Sequence, residues 1–300
     1  MPKHLIIGVD AGGTKIRSGA VTRAGKIVSS AKFPTQTARG TAAVIKNIIE
    51  GVRAVWSKDV TAIGIGMAGN VDWRKGVYKL GPNFPKTFKN IPIAAILRRT
   101  FRVPVTVDND VHCFTLAEAK FGAAKRFSSV VGLTLGTGIG GGIVLDGRLF
   151  RGRNNAAGEI GHMTIGLGSG AVCGCGRRGH FEAYGSGSAM RNLYRRLSGI
   201  TADPLAIEKA AKRGDSKAKK VVQLMTEALS EGFASVIHIL NPDIIVVGGG
   251  LASSDIIWKP AVAGVRTRIV YPELRDTPIV RAALGSEASM LGAALITDAM

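Results

Sequence analysis

Apolar positions along this chain fall into two signatures: short β-branched runs that end at glycines, and longer stretches with a helical period. Leu5 to Asp10 reads as a buried strand with an acidic residue at its end. Ala11-Gly12-Gly13-Thr14-Lys15 reads as a tight turn, Ile16 to Val21 as a second strand and Lys26 to Lys32 as a third. Residues 41–56 place Val44, Ile48, Val52 and Val55 on one stripe, with Ile45, Ile49 and Trp56 beside it, which predicts an amphipathic helix. Val60 to Ile65 is the next strand and runs into Gly66-Met67-Ala68-Gly69. Residues 73–90 read as loop-rich, and residues 91–101 as a short helix with Pro92 in its first turn. Val103 to Val107 is a strand leading to Asp108-Asn109-Asp110, with a helix predicted from there through Lys120.

The plan of the first hairpin then recurs. Val130 to Leu135 is a strand, residues 136–142 form a second glycine turn containing Gly136, Thr137, Gly138 and Gly140, and Ile143 to Leu145 is again a strand. Successive backbone N–H groups and a threonine hydroxyl in such turns can cradle phosphate oxygens. The first turn is not a Walker loop, because the Gly-x-x-x-x-Gly-Lys-Ser/Thr spacing is missing and no helix follows directly, and a plain hairpin turn is its alternative. Together the two turns predict two related lobes, each giving one hairpin to a shared cleft. Further on, residues 204–214 and 216–239 read as helices. The second carries Val221, Val222, Met225, Leu229, Phe233, Val236 and Ile237 on a broad apolar face, and Asn241-Pro242 ends it. Ile244 to Val247 is a strand closed by Gly248-Gly249-Gly250, which either admits an adenine and ribose close to backbone or makes a tight strand-to-helix turn. Residues 286–298 form a last helix, with Met290, Leu291, Ala294 and Leu295 inward.

Composition narrows the class. Three hundred residues, 46% of them hydrophobic, suffice for one large domain or two ordinary ones. No apolar run approaches the ~20 residues of a membrane span. The start of the chain, residues 1–8, leads straight into a strand, so no signal peptide is expected. Three cysteines, two of them too close for an ordinary bridge, point to a reducing cytoplasm. Forty Lys and Arg against 21 Asp and Glu give a formal charge of +19, which raises nucleic-acid binding. The basic residues are dispersed, however. Their densest stretches, Arg191 to Arg196 and Lys209 to Lys220, look like helix faces, and Lys212 to Lys220 has no interleaved aromatics. The charge therefore reads as the solvated surface of an enzyme with anionic substrates, and no specific nucleic-acid partner is expected.

Chemistry concentrates in Gly158-Glu159-Ile160-Gly161-His162 and in the run from Cys173 to Glu182. Cys173, Cys175 and His180 fall within eight residues, and one more ligand such as His162 completes the four-coordinate set of structural zinc. Two buried thiols and a core histidine are the alternative, but the surrounding glycines and arginines are poor core material. Glu159 and Glu182 have no place in a Cys/His set and are left to bind something else. Asp108, Asn109 and Asp110 stand at a strand end, where a carboxylate can act as general base, or where Asn and Asp cap the following helix. His4, His112 and His238 show no partner and read as structural or surface residues.

Six motifs in order carry a family resemblance: Asp10-x-Gly-Gly-Thr-Lys15, Asn109-Asp110, Leu135-Gly-Thr-Gly-x-Gly-Gly-Gly142, Gly158-Glu-x-Gly-His162, the Cys173-x-Cys175 segment ending at Glu182, and the Asn241-Pro-Asp segment ending at Gly250. The chain resembles the ROK family of sugar kinases and related repressors, within the actin-like ATPase superfold. The resemblance implies an α/β, two-lobed, ribonuclease-H-like fold with a sugar and ATP cleft between the lobes. It places a small lobe at residues 1–118, joined by a C-terminal helix at 286–300, and a large lobe with the zinc knot at 119–285. It implies ATP-dependent hexose phosphorylation, most simply glucose to glucose 6-phosphate, with N-acetylhexosamine or N-acylmannosamine kinases and a non-catalytic sugar sensor as alternatives. Asp110 would be the general base. Asn109, Glu159, His162 and Glu182 would join it on the sugar. Asp10, Gly12, Gly13, Thr14, Lys15, Gly136, Thr137, Gly138, Gly140, Gly249 and Gly250 would hold ATP, with Asp10 near Mg2+. Zn2+ would sit on His162, Cys173, Cys175 and His180, where relatives usually have a third cysteine at the His180 position. Asp108 replaces the glutamate of many relatives and is assigned no catalytic part. A homodimer is expected on resemblance alone, and polyphosphate is an alternative donor. Family repressors carry a helix-turn-helix of ~70–80 residues before this fold; here the first hairpin begins at residue 10, so none is expected.

Overall fold

The apolar run Leu5–Ala11 forms β1, whose side chains are almost all buried. It turns through residues 12–14 into antiparallel β2 (Lys15–Thr22), which pairs in turn with antiparallel β3 (Ile27–Pro34). After α1 (Thr41–Arg53) come β4 (Val60–Met67), the short hairpin β5 (Asn70–Asp72) and β6 (Val77–Leu80), α2 (Ile93–Phe101), β7 (Val105–Asn109) and α3 (Asp110–Lys120). The first five-stranded sheet has the order β3-β2-β1-β4-β7, with β1, β4 and β7 parallel. The chain continues with β8 (Val130–Leu135), β9 (Ile139–Leu145), β10 (Arg148–Leu149), α4 (Glu182–Gly185), α5 (Gly187–Ser198), α6 (Pro204–Lys212), α7 (Ser216–Leu240), β11 (Ile244–Gly248), α8 (Asp255–Val265), β12 (Ile279–Arg281) and α9 (Ala288–Leu295). The second sheet has the order β10-β9-β8-β11-β12, with β8, β11 and β12 parallel. The recurrence read from the two glycine turns is thus a recurrence of topology: a three-stranded meander extended by two parallel strands, twice.

The computed structural model describes residues 4–168 and 170–299. Residues 1–3, read above for a leader, and Met300 lie outside the described residues. By internal contacts the chain divides into two units. One runs to Ser128, takes up Gly142–Gly158 and is completed from Ala283 onward; the other comprises Ser129–Gly141 and Glu159–Ala282. The first core packs Ile7 and Val9 of β1, Ile63 and Ile65 of β4, and Val107 of β7 with Val44, Ile48 and Val52 of α1 and Leu97 of α2. The second packs Leu133 and Val247 with Val221, Met225, Leu229 and Phe233 of α7 and Ile257 of α8. No helix among the described residues is long and apolar enough to cross a membrane.

Several elements depart from the sequence reading. The segment 73–90 is not all loop: β5 and β6 bracket a turn, and Tyr78, Phe84 and Phe88 form an aromatic cluster with ring centroids 5.0–5.2 Å apart. Strands of three and four residues are too short to show a period. Helix α1 ends at Arg53 rather than residue 56, and Pro92 is the N-cap of α2 rather than part of its first turn. Strand β7 begins at Val105 and extends through Asn109, and β9 begins at Ile139, four residues before the reading. α8 and β12 carried no recognised signal; α8 has Pro260 inside it.

Close approach explains several glycines in the first sheet. A methyl at Gly64 would land on the Ala293 carbonyl, and one at Gly8 on the Met290 carbonyl, so α9 lies directly on the backbones of β1 and β4. Backbone cannot yield as a side chain tip can. Gly64→Ala is expected to cost about 1–3 kcal/mol by overpacking, read as a melting temperature lowered by several degrees; an unchanged melt would mean that α9 does not sit this close.

Candidate active site

Asn109 ends β7 and caps α3. Its Oδ1 accepts from the N–H groups of Val111 (2.7 Å) and His112 (3.2 Å), and its Nδ2 donates one hydrogen to the Gly69 carbonyl at 3.1 Å. The capping role therefore falls to Asn109. Asp110 takes the first helical position, where negative charge is favoured by the helix dipole, and its Oδ1 lies 3.0 Å from the Val111 nitrogen.

Behind this pair sits a cluster that sequence reasoning set aside. Asp108 is fully buried. Its Oδ1 accepts from the Asn109 N–H (2.7 Å), His112 Nδ1 (2.9 Å) and Asn155 Nδ2 (3.0 Å), and its Oδ2 from Arg151 Nε (2.6 Å). His112 is also buried, and its Nε2 lies 2.9 Å from the Ala157 carbonyl. Both ring nitrogens thus face acceptors, which requires both to carry hydrogen, so His112 is an imidazolium. Burial alone would raise Asp108, but the hydrogen bond and charge of His112, with Arg151, hold its carboxyl below the usual range. Burial would lower His112, and Asp108 and the Ala157 carbonyl raise it instead. The reading of His112 as partnerless is corrected. Its i, i+4 spacing from Asp108 was the available signal; Arg151 and Asn155, more than forty positions on, gave none.

The first glycine turn is fixed by its surroundings. The Gly12 N–H donates to the Lys15 carbonyl at 3.1 Å, the buried Thr35 hydroxyl donates to the Gly12 carbonyl at 2.6 Å, and the Thr35 N–H donates to the Thr14 carbonyl at 3.0 Å. Gly13 faces the Asn83 backbone, and Thr14 and Lys15 are exposed. Asp10, at the end of β1, is pushed up to about 7 by burial and then by the nearby Asp110 carboxylate, against the pull of Arg17 and Lys15. Two crowded carboxylates of this kind are a donor set that a divalent cation would relieve.

In the second unit, the Gly136 and Thr137 carbonyls accept from the Gly187 (2.8 Å) and Ser188 (3.2 Å) N–H groups at the start of α5. Thr137 is exposed, and Gly138 and Gly140 are half-buried. The Ile139 N–H donates to Glu182 Oε2 at 2.9 Å, and the Cys173 thiol to Glu182 Oε1 at 3.3 Å. Glu182 is therefore not left over, as the sequence suggested: it ties the glycine turn to the cysteine loop, because the strand's first N–H needs an acceptor. Glu159 is exposed, with one oxygen 3.8 Å from His162 Nε2. Gly249 has φ +92°, and a methyl there would strike the Leu135 backbone, so packing against β8 already requires it; Gly250 faces open space.

His162, Cys173, Cys175 and His180 bring one ligand atom each to within 4.8 Å of one another. The Nδ1 atoms of His162 and His180 are 3.2 Å apart, Cys175 Sγ is 3.3 Å from His180 Nδ1, and Cys173 Sγ is 3.8 Å from His162 Nδ1. A tetrahedral ion with bonds of ~2.3 Å to sulfur and ~2.0–2.1 Å to nitrogen spaces its ligands by about 3.3–3.8 Å. The residues present fit zinc in donor type and spacing. Burial, reinforced by Glu182, pushes the Cys173 thiol up to about 12 in the metal-free protein.

The Asp108–His112 pair predicts a pH window. A lowered carboxyl stabilises the fold above its unfolded value of ~4 and loses this as pH falls; a raised histidine stabilises fully below ~6.5 and loses this as pH rises through its folded value. Stability from the pair is therefore greatest from about pH 4 to 6.5 and declines on either side. His112→Ala strands a buried carboxylate and is expected to cost about 3–5 kcal/mol, with the alkaline part of the pH–melting profile flattened. Nitrogen-15 shifts showing one unprotonated ring nitrogen in His112 at pH 6 would overturn the imidazolium assignment.

The ROK family model matches residues 6–299. A glucokinase from Thermotoga maritima is 35% identical, over 99% of this chain and 98% of its own length. An N-acetyl-D-glucosamine kinase from Vibrio cholerae is 34% identical, over 96% of this chain and 98% of its own. A solved ROK family glucokinase from Streptomyces griseus, in complex with glucose and AMPPNP, superposes with a TM-score of 0.83 at 30% identity, covering 97% of this chain and 98% of that one. The duplicated sheet topology, the two glycine turns and a match across nearly the whole length converge on one assignment: this chain belongs to the ROK family.

Proposed function

We propose that this protein is a sugar kinase that transfers the γ-phosphoryl group of ATP to a hexose hydroxyl, with glucose to glucose 6-phosphate as its principal reaction. The observation that carries the mechanism is the placement of Asp110 at the first position of α3, beside the Asn109 cap and in front of the buried Asp108 cluster. A general base must be held in one orientation, and here its backbone is fixed by a strand end, a cap and an ion cluster. Asp110 takes the proton of the attacking hydroxyl. Asn109, which commits one amide hydrogen to Gly69, turns the other toward the sugar. Glu159 and His162 Nε2 bind further hydroxyls, and Glu182 adds a lone pair beyond those it uses internally. Phosphoryl transfer is chiefly positioning and charge neutralisation, which suits two rigid glycine turns, with Thr14, Lys15 and Thr137 presented to the phosphates and Gly250 leaving room for the adenine. Magnesium, when bound, neutralises the β- and γ-phosphate oxygens, and Asp10 would hold it.

Zinc on His162, Cys173, Cys175 and His180 is the structural part of this reading. Zinc held there would fix the His162 ring through Nδ1, and Nε2, 3.8 Å from Glu159 Oε2, would be left for the sugar. A homodimer, working in the reducing cytoplasm without a nucleic-acid partner, completes the proposal. The second reading is an N-acetylhexosamine kinase, supported by the Vibrio cholerae relative, whose identity is within one percentage point of the glucokinase's.

A panel of glucose, mannose, N-acetylglucosamine and N-acetylmannosamine with MgATP decides between them. Glucose is expected to give the highest kcat/KM, and turnover restricted to an acetylated sugar would establish the second reading. Asp110→Asn is expected to lower kcat by ~10²–10⁴ with little change in KM for ATP; an active variant would remove Asp110 as base. Elemental analysis is expected to find one zinc per chain, and Cys175→Ala to lower both zinc content and melting temperature. Metal-free protein with full stability would show the four residues to be a bare cluster.

A further inference from the structure

A cavity of about 450 Å³ lies in the first unit, away from the glycine turns, between the β5–β6 turn, the end of α2 and the start of β7. Its volume falls within the ~300–1,000 Å³ range of small-molecule sites. Trp73, Arg74 and Lys75 line it from the hairpin turn, and Arg98 and Arg102 from α2. No ion pair among the described residues joins any of these four cations to a carboxylate. The walls are braced: the Ala94 N–H donates to the Gly76 carbonyl at 3.1 Å, and the backbones of Tyr78 and Ile91 exchange two hydrogen bonds of 2.9 Å.

Arg98 alone would be explained by its place in the last turn of α2, where cations complement the helix dipole. That account does not reach Arg74 and Lys75, which belong to a different element. It also leaves Arg102 unexplained. Arg102 is the C-cap of α2 with φ +56°, a left-handed conformation in which glycine or asparagine is the ordinary choice. A long cationic side chain is held there against backbone preference, and it lines the cavity. The indole of Trp73 adds a flat apolar wall on which Arg151 stacks, with its guanidinium carbon 4.4 Å from the ring centroid.

We propose that this cavity is a binding site for a small anion carrying one or more phosphate groups, separate from the phosphate-binding turns of the kinase reaction. Guanidinium groups offer paired N–H donors that match phosphate oxygens, and Lys75 adds a point charge. The charge class follows from four exposed cations around one preformed space, none in an ion pair among the described residues, with Arg74 lying over the Trp73 ring 5.5 Å from its centroid. The phosphate arrives either as a free oligophosphate or as a phosphate ester of a small molecule, and the chemistry at the arginines is common to both.

The experiment is a titration with orthophosphate, tripolyphosphate and glucose 6-phosphate, read by calorimetry and by Trp73 fluorescence in a Trp56→Phe/Trp258→Phe background. Glucose and a non-hydrolysable ATP analogue are present throughout to fill the reaction site. At least one probe is expected to bind saturably at one site per chain. Affinity is expected to fall ~10-fold or more in Arg98→Ala/Arg102→Gly, since a hydrogen bond to a charged group is worth that much, and to stay unchanged in Lys217→Ala/Lys219→Ala on the exposed face of α7. A preference for tripolyphosphate identifies the free chain, and one for glucose 6-phosphate the ester. Arg102→Gly alone suits the left-handed position, so it keeps the fold and its melting temperature should hold or rise. Absence of saturable binding, or equal weakening in the α7 variant, would overturn the proposal.

Discussion

A carboxylate with no access to water must be neutralised where it stands, and the first unit is arranged around one. Asp108 receives four donors from four different residues: the backbone of Asn109, the ring of His112, the amide of Asn155 and the guanidinium of Arg151. Satisfying it fixes the end of β7, the first turn of α3 and the loop at residues 151–157 relative to one another. Through His112 the same cluster grips the Ala157 carbonyl, two positions before Glu159 in the chain. Buried ion clusters contribute little net stability, but removing one member is expensive. Such a cluster enforces a single arrangement of Asn109 and Asp110, which the base role proposed for Asp110 requires.

What the sequence disclosed, and what it hid, follows from the range of each interaction. Buried strands such as β1 and β8 are continuous apolar runs, and α7 is a long amphipathic period, so both were legible. The two glycine turns repeated a local pattern, and that repetition revealed the duplicated topology. The hairpin β5–β6 was missed because its strands are shorter than any period. α8, with Pro260 inside it, carried no recognised signal. At the site, Asn109 and Asp110 were visible because a cap and a strand end are local. Arg151, Asn155 and Thr35 were not, because each acts on a residue more than twenty positions away.

The cysteine loop shows the same division. Ligand types and spacing singled out four residues, and their donor atoms lie within 4.8 Å of one another. Glu182 was judged by elimination, as a carboxylate outside a Cys/His set, and that argument could not reveal that the Ile139 N–H claims one of its oxygens. A residue can serve a fold and a ligand at once when its atoms have lone pairs to divide. Glu182 and Asn109 both hold scaffold hydrogen bonds, so substitutions at either position alter the scaffold as well as the proposed contact with sugar.

The seat of α9 has a consequence for how the chain is made. Gly8 and Gly64 are shaped to receive the backbone of residues 290–293, which are synthesised more than 200 residues after them. The second unit, by contrast, consists of Ser129–Gly141 and Glu159–Ala282, both made before Ala283. On the ribosome, the later unit can therefore be complete while the earlier one still waits for its final helix. For that interval the faces of β1 and β4 that α9 covers stay open, so strands made early are protected late.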